Sequence, residues 1–168
     1  IGNFFQQLDK LIELQTRAVE SAETYKKAML QKMFPLKGEK VPCVRFEGFS
    51  GDWEEKKLKV LFSFFRGESF AKKDIDSDGV YPCIHYGELF TQYGEVINTV
   101  LSKTNIEAKN PSQIGDILMP SSDVTPYGLA KASCLNQKNV FLGGDINILR
   151  PIEKISSVFF SYLINFQK

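Results

Sequence analysis

Apolar positions in the first 34 residues, IGNFFQQLDKLIELQTRAVESAETYKKAMLQKMF, recur at a helical spacing. Ile1, Leu8, Ala22 and Met29 form one heptad row, and Phe4, Leu11, Ala18 and Tyr25 form the row beside it. Phe5, Ile12, Val19 and Met33 widen the stripe into a third row. No proline interrupts the run, and only Gly2, near its start, breaks helix propensity. The pattern predicts one helix over residues 1–34, roughly 50 Å long at about 1.5 Å per residue. A stripe of that length cannot be buried against itself, so it calls for a partner helix. Ala18 and Ala22 permit close approach at mid-length. The other arrangement the pattern allows is a surface helix lying on its own domain.

Pro35, Gly38 and Pro42 stop the helix and make a short linker. PCVRFEGFSGDWEEKKL is turn-rich, with Phe46, Phe49 and Trp53 as anchors, and KKLKVLFSFFRG reads as a strand or short helix. From residue 80 the pattern is α/β with turn punctuation. YPCIHYGEL predicts a strand, and QYGEVINTVL a short strand or helix. GDILMP and GGDINILRP share a Gly-Asp-Ile frame and predict two short apolar strands, each entered by a glycine turn, lying as neighbours in one sheet. SSDVTPYGLAKASCLNQKNVFL reads as a polar loop, a small-residue turn and a returning strand, and SSVFFSYLINF as an apolar helix.

Composition narrows the class. The 168 residues are 43% hydrophobic and 12% aromatic, with fourteen Phe, which argues for a packed body. Net charge is +1, so bulk electrostatics point to neither nucleic acid nor membrane, and any basic patch must be made by folding. Cys43, Cys83 and Cys134 are isolated and odd in number, which fits a reducing cytoplasm better than a disulfide framework or a zinc site. No apolar run reaches membrane-spanning length and no signal peptide is visible, so no membrane partner is expected. Ile1 is not an initiator Met and starts inside a helical pattern, so the chain reads as a piece of something longer.

The most suggestive chemical motif is KKDIDSDGVYPCIHYGE, where Asp74, Asp76, Asp78 and Gly79 follow the order of a calcium loop. The closing position falls on His85, a nitrogen ligand, and Pro82 with β-formers occupies the second helix's place. The stretch reads instead as an Asp-Ser-Asp-Gly turn leading into a strand. A catalytic triad would have to use the single His85, and no G-x-S-x-G elbow accompanies it. Asp52, Glu54 and Glu55 are too close in sequence to surround a metal from separate strands, and read as a charged face. No phosphate-binding glycine loop occurs, and Asn110-Pro111-Ser112 lacks the second Pro and aromatic of an adenine-methyltransferase motif. The residues describe a binder, with no enzyme activity, no cofactor and no metal expected.

Two blocks carry a resemblance. The helix together with VRFEGFSGDWEEKKL resembles the central conserved region of type I restriction–modification specificity subunits, in which a long spacer helix leads into a target recognition domain. GESFAKKDIDSDGVYPCIHYGELFTQYGEVI is similar to the opening of those domains, and GDILMPSSDVTPYGLAKASCLNQKNVFLGGDINILRP to their middle. The resemblance implies an α+β fold class: a long N-terminal coiled-coil-type helix, then a globular target recognition domain with a curved, largely antiparallel sheet and flanking short helices. It divides the chain into a spacer helix at 1–35, a linker and domain start at 36–58, and a recognition domain at 59–168, incomplete at its C-terminus.

The implied function is sequence-specific binding of one half of a bipartite DNA target, without catalysis. Implied partners are double-stranded DNA, the methyltransferase (modification) subunits and the restriction subunit, in the cytoplasm. Leu8, Leu11, Ile12, Val19, Ala22 and Met29 would form the subunit-interface helix, packed on a second spacer helix or on a second copy of the chain. DNA-contact candidates lie on polar loops beside strands. Lys72 and Lys73 would reach phosphates. His85 and Tyr86 sit on a predicted strand leading to Thr91, Gln92 and Tyr93, where Gln suits adenine and Thr a thymine methyl. Ser121, Ser122, Thr125 and Lys131 form a second polar group, while Asp145 reads as a turn-stabilising residue. Two rivals remain open at this point: a coiled-coil scaffold whose globular end binds protein, and a metal-dependent enzyme using the aspartates.

Overall fold

Helical propensity and the absence of internal proline produce an uninterrupted helix, α1 (Gly2–Met33), in the computed structural model of the protein. Residues 1–122 and 125–167 are described; Asp123 and Val124 of the predicted polar loop, and Lys168 at the predicted domain's end, lie outside the described residues. Phe34 turns extended at the helix end, with Pro35 behind it, and the Val44 N–H donates to the Lys32 carbonyl at 2.9 Å, satisfying one of the orphaned C-terminal acceptors. None of the α1 residues is buried. Its Arg17–Glu13 pair, 2.6 Å apart and exposed on both sides, contributes a few tenths of a kcal/mol, ~0.3.

The chain falls into two units, Ile1–Glu54 and a second from Glu55 onward. Behind α1, the first unit closes on itself through Phe34 and Trp53, whose rings meet edge to face at 6.0 Å. The Trp53 N–H donates to the Lys40 carbonyl at 2.8 Å, which folds the glycine-rich loop back toward the helix end.

In the second unit, KKLKVLFSFFRG supplies both elements its pattern allowed: a helical turn, α2 (Leu58–Leu61), then β1 (Phe62–Arg66). A 3-10 turn at Lys72–Asp74 precedes β2 (Tyr81–Ile84), followed by α3 (Glu88–Thr91), β3 (Val96–Ile97) and β4 (Ser102–Thr104). Then come β5 (Asp116–Pro120), α4 (Pro126–Leu129), β6 (Ser133–Leu135), β7 (Phe141–Leu142), β8 (Ile146–Pro151) and α5 (Ser157–Phe166). Among the described residues the strands form a five-stranded sheet ordered β1-β8-β5-β6-β3 and a three-stranded sheet ordered β4-β2-β7. Pairing is antiparallel except for β3 with β6 and β2 with β7, so the expected α+β architecture, long helix then largely antiparallel sheet with short helices, is what the chain adopts.

The two Gly-Asp-Ile segments are neighbours, as their shared frame predicts: β5 and β8 pair antiparallel, with Leu118 opposite Ile148. Their continuous apolar character has a physical cause, because both faces of this sheet are covered. Alternate residues serve different cores. Leu118, Ile146 and Ile148 join Ile84, Leu89, Ile97, Leu135 and Leu142 in one cluster. Ile117 and Leu149 join Phe62 and Ala132 in the other, which α5 covers with Phe160 and Ile164. The Phe62 and Phe160 rings meet edge to face at 5.2 Å.

Two expectations need correction. The strand predicted over YPCIHYGEL ends at Ile84, and His85 and Tyr86 lie in a turn. Glu88 causes this: its carboxylate accepts the His85 N–H at 2.7 Å while its own N–H donates to the His85 carbonyl at 2.9 Å, closing the chain into the first turn of α3. Tyr93, a candidate contact, is a core side chain 8% exposed, with its hydroxyl accepting the Leu101 N–H at 3.1 Å.

Asp76 to Gly79 forms the expected turn ahead of β2. The Gly79 N–H donates to the Asp76 carbonyl at 3.1 Å, and the Asp76 carboxylate accepts from Asp78 N at 2.9 Å and Asn105 Nδ2 at 2.7 Å. Gly79 itself is required by close approach, since a Cβ there would fall 2.6 Å from the Thr104 backbone nitrogen.

Candidate nucleic-acid interface

Strand register, more than any single loop, decides which polar side chains share a surface. Arg66 ends β1 opposite Asn147 of β8, and Ile146 of β8 lies opposite Pro120 at the end of β5. Leu118 of β5 faces Ser133 of β6, so Lys131, two residues before Ser133, belongs to the same end of the sheet. Because β3 runs parallel to β6, its entry also falls there: Ser133 Oγ donates to the Gly94 carbonyl at 2.7 Å and the Cys134 N–H to the Glu95 carbonyl at 2.9 Å. Thr91 and Gln92 immediately precede that entry and are exposed.

The second sheet reaches the same end. Ile84 of β2 pairs with Leu142 of β7, and the Gly143 N–H donates to the Ile84 carbonyl at 3.0 Å, which places His85 beside the Gly143-Gly144-Asp145 turn. Six chain segments therefore contribute to one end of the unit, from residues that are far apart in sequence.

Each candidate has a definite local setting. Ser121 follows β5; its N–H donates to the Asp145 carbonyl at 2.9 Å, and Ser122 beside it is exposed. Thr125 caps α4, accepting the Gly128 N–H on Oγ1 at 3.1 Å. Lys131 is half-exposed just before β6. Thr91 Oγ1 donates back to the Gly87 carbonyl at 3.2 Å, and Gln92 ends the helix. His85 is half-buried, with Nδ1 accepting the Gly87 N–H at 3.3 Å and its ring 4.6 Å from that of Tyr86. Tyr86 packs partly on the core.

Lys72 and Lys73 are exposed, but their turn leans on the second sheet rather than on these strand ends. Thr104 Oγ1 donates to the Asp74 carbonyl at 2.8 Å, and the Asp76 N–H to the Lys103 carbonyl at 2.9 Å. Tyr93 belongs to the core, where burial raises its pKa above the ordinary 10.0. On α1, Leu8, Leu11, Ile12, Val19 and Ala22 are exposed along one stripe and Met29 is half-buried.

Sequence reasoning missed Arg66. Its Nε donates to the Gly144 carbonyl at 2.7 Å, and its Nη2 lies 3.5 Å from both Ser121 Oγ and Asp145 Oδ1. The available signal was a lone arginine between an aromatic run and a glycine, in FFRG. Asp145 stabilises its turn as expected, through the Ser121 bond and the 3.5 Å pair with Arg66. At the opposite end of the sheet a second pair, Arg150 with the fully buried Asp116, is structural: Nε–Oδ1 is 2.8 Å and Nη2–Oδ2 2.7 Å. Its bond to Asp116 raises the Arg150 pKa above its ordinary value.

The strand-end surface offers hydroxyls, an amide, an imidazole and two cations, a set suited to hydrogen bonding at base edges and phosphates. Among the described residues no group of three or more His, Cys, Asp or Glu is placed to hold a metal ion, and no helix is long and apolar enough to cross a membrane.

No protein-family model matches this sequence, and no curated protein matches it. Solved structures do share its fold. A chain from a structure addressing complex assembly and conformational transition of the type I R-M system aligns with 98% of this chain at a TM-score of 0.59 and 15% identity. The HsdS subunit from Thermoanaerobacter tengcongensis aligns with 96% at a TM-score of 0.55 and 16% identity. This chain spans 38% and 37% of the length of those two proteins.

Proposed function

We propose that this chain is part of the specificity subunit of a type I restriction–modification enzyme, in which it recognises one half of a bipartite DNA target and docks the methyltransferase subunits. The observation that carries the reading is a coincidence of independent signals. The sequence blocks that resemble a spacer helix and a recognition domain coincide with the long helix and the mixed α/β unit of this chain, whose fold is like that of a type I R-M structure over 98% of its length. The strand-end surface adds the chemistry such a role needs. Thr91, Gln92, Ser121, Ser122 and Thr125 present base-reading groups there, with His85 and Tyr86 at the margin and Lys131 for a phosphate, while Lys72 and Lys73, away from these strand ends, serve phosphates farther along the duplex.

In this reading the chain performs no catalysis. Methyl transfer and cleavage belong to the partner subunits, including the restriction subunit, and the complex works in the cytoplasm. The stripe of α1 packs on a second spacer helix or on a second copy of the chain. Residues 1–35 act as the spacer, 36–58 as the linker and 59–168 as the recognition domain.

The test is selection of bound duplexes from a random-sequence DNA pool, with and without a type I methyltransferase subunit. The expected result is enrichment of a short motif whose binding falls steeply as salt rises, because displaced counterions oppose phosphate contacts. No enrichment under either condition would refute DNA recognition and leave a protein-binding scaffold as the better account.

A further inference from the structure

Arg66 is held in a way that a solvated surface arginine is not. Its side chain is 66% exposed, yet Nε is fixed on the Gly144 carbonyl at 2.7 Å, so the plane of the guanidinium is set from behind. Nη2 touches Ser121 Oγ and Asp145 Oδ1 at 3.5 Å each, the outer limit of a hydrogen bond, and Nη1 has no hydrogen-bond partner among the described residues. These long contacts steady Nη2 from one side and leave the N–H groups of Nη1 unengaged.

We propose that Arg66 reads a guanine in the major groove, its outward N–H groups bidentate on O6 and N7, with Asp145 and Ser121 as positioning residues. This rests on the reading of the strand-end surface as a DNA interface. Three physical features favour it. The guanidinium fork matches the two acceptors that guanine alone presents together. A side chain whose plane is already fixed loses less rotamer freedom on binding. The third feature decides between base and phosphate. Arg66 and Asp145 together carry no net charge, so the pair is poorly suited to neutralising a phosphate and releasing counterions, whereas a base edge requires directed donors and no net charge.

The experiment repeats the random-pool selection with the wild-type chain and with Arg66→Lys and Arg66→Ala, each with and without the methyltransferase subunit. The wild type is expected to enrich a motif containing a G·C pair at one position. Arg66→Lys keeps the charge but loses the fork, so preference at that position should disappear and affinity for the selected duplex fall about tenfold to a hundredfold, with the salt slope unchanged. Asp145→Asn leaves the arginine in place and should weaken discrimination at the same base pair alone, which keeps the test valid if Arg66→Ala does not fold. An Arg66→Lys chain that selects the same motif with the same preference overturns the inference while leaving DNA recognition intact. So does an Arg66→Ala chain that binds all duplexes evenly more weakly with a salt slope lower by about one, the signature of a phosphate contact. A wild type that enriches nothing overturns both readings.

Discussion

Arg150→Met should destabilise the second unit by about 3 kcal/mol, the lower end of the range for breaking a buried ion pair. Asp116 has no solvent exposure and accepts three N–H groups: Gln113 N at 2.8 Å, Arg150 Nε at 2.8 Å and Arg150 Nη2 at 2.7 Å. Methionine fills much of the arginine stem's volume but leaves a buried carboxylate with a single backbone donor. The lower end of the range applies because the Arg150 side chain is 21% exposed and retains some hydration in the native state. At ~2–4 °C per kcal/mol for a chain of this size, the melting temperature should fall by roughly 6–12 °C, measured by differential scanning calorimetry. The decisive comparison is Asp116→Leu combined with Arg150→Met. Removing both leaves no buried charge, only the Gln113 N–H of an exposed residue without its acceptor, so the double variant should be more stable than Arg150→Met alone. A loss below about 1 kcal/mol for Arg150→Met, the value of an exposed pair, or single effects that simply add, would refute the argument. The pair lies at the sheet end away from Ser121, so DNA affinity measured below the new melting temperature should be unchanged.

Two further outcomes follow from the packing. A Cβ on Gly67 would fall 1.9 Å from the Gly143 carbonyl oxygen and 2.6 Å from that of Leu142, both backbone atoms, so Gly67→Ala should cost about 3 kcal/mol or more; a chemical-denaturation midpoint close to wild type would contradict that crossing. Alkaline pH should also destabilise the fold, because burial pushes Cys83 up to about 12 and Cys134 up to about 11 from the ordinary 9.0. The unfolded chain releases these protons near pH 9 while the folded chain keeps them. The stabilisation is therefore whole below pH 9 and declines as pH rises toward 11–12, by about 1.4 kcal/mol per thiol for each pH unit. Cys134→Ala should roughly halve the slope between pH 9 and about 10.5, leaving the Cys83 share, and an unchanged profile in urea titrations would remove the Cys134 thiol as a cause.

What could be read from the sequence is what a single segment encodes. The α1 stripe, the β5 and β8 runs and the α5 helix were legible because each has one period or one unbroken apolar character. Leu118 and Ile117 look alike in sequence although they face different cores, and that likeness is itself the sign of a sheet covered on both sides. His85 and Tyr86 were misplaced because their β-favouring side chains extend the strand pattern, while the turn is made by the Glu88 carboxylate capturing the His85 N–H, a contact that periodicity does not register. Tyr93 has a polar tip on an apolar ring, and composition cannot tell whether the tip meets solvent or, as here, the Leu101 N–H.

The site itself is a product of register, which no single segment contains. Arg66 meets Gly144, Ser121 and Asp145 across 78, 55 and 79 residues of chain, so nothing in FFRG marks it as more than a strand end. A slip of one residue between β1 and β8 would turn Arg66 to the other face of the sheet and dissolve the arrangement. What opposes that slip is the residue that follows. Gly67 crosses Gly143 at a separation only glycine allows, and its N–H donates to the Ile146 carbonyl at 2.9 Å. Any side chain at 67 would push β1 away from the turn that carries Gly144 and Asp145. Gly67→Ala is therefore expected to disturb the setting of Arg66 as well as the fold, and base discrimination in any folded fraction should fall together with stability rather than independently of it.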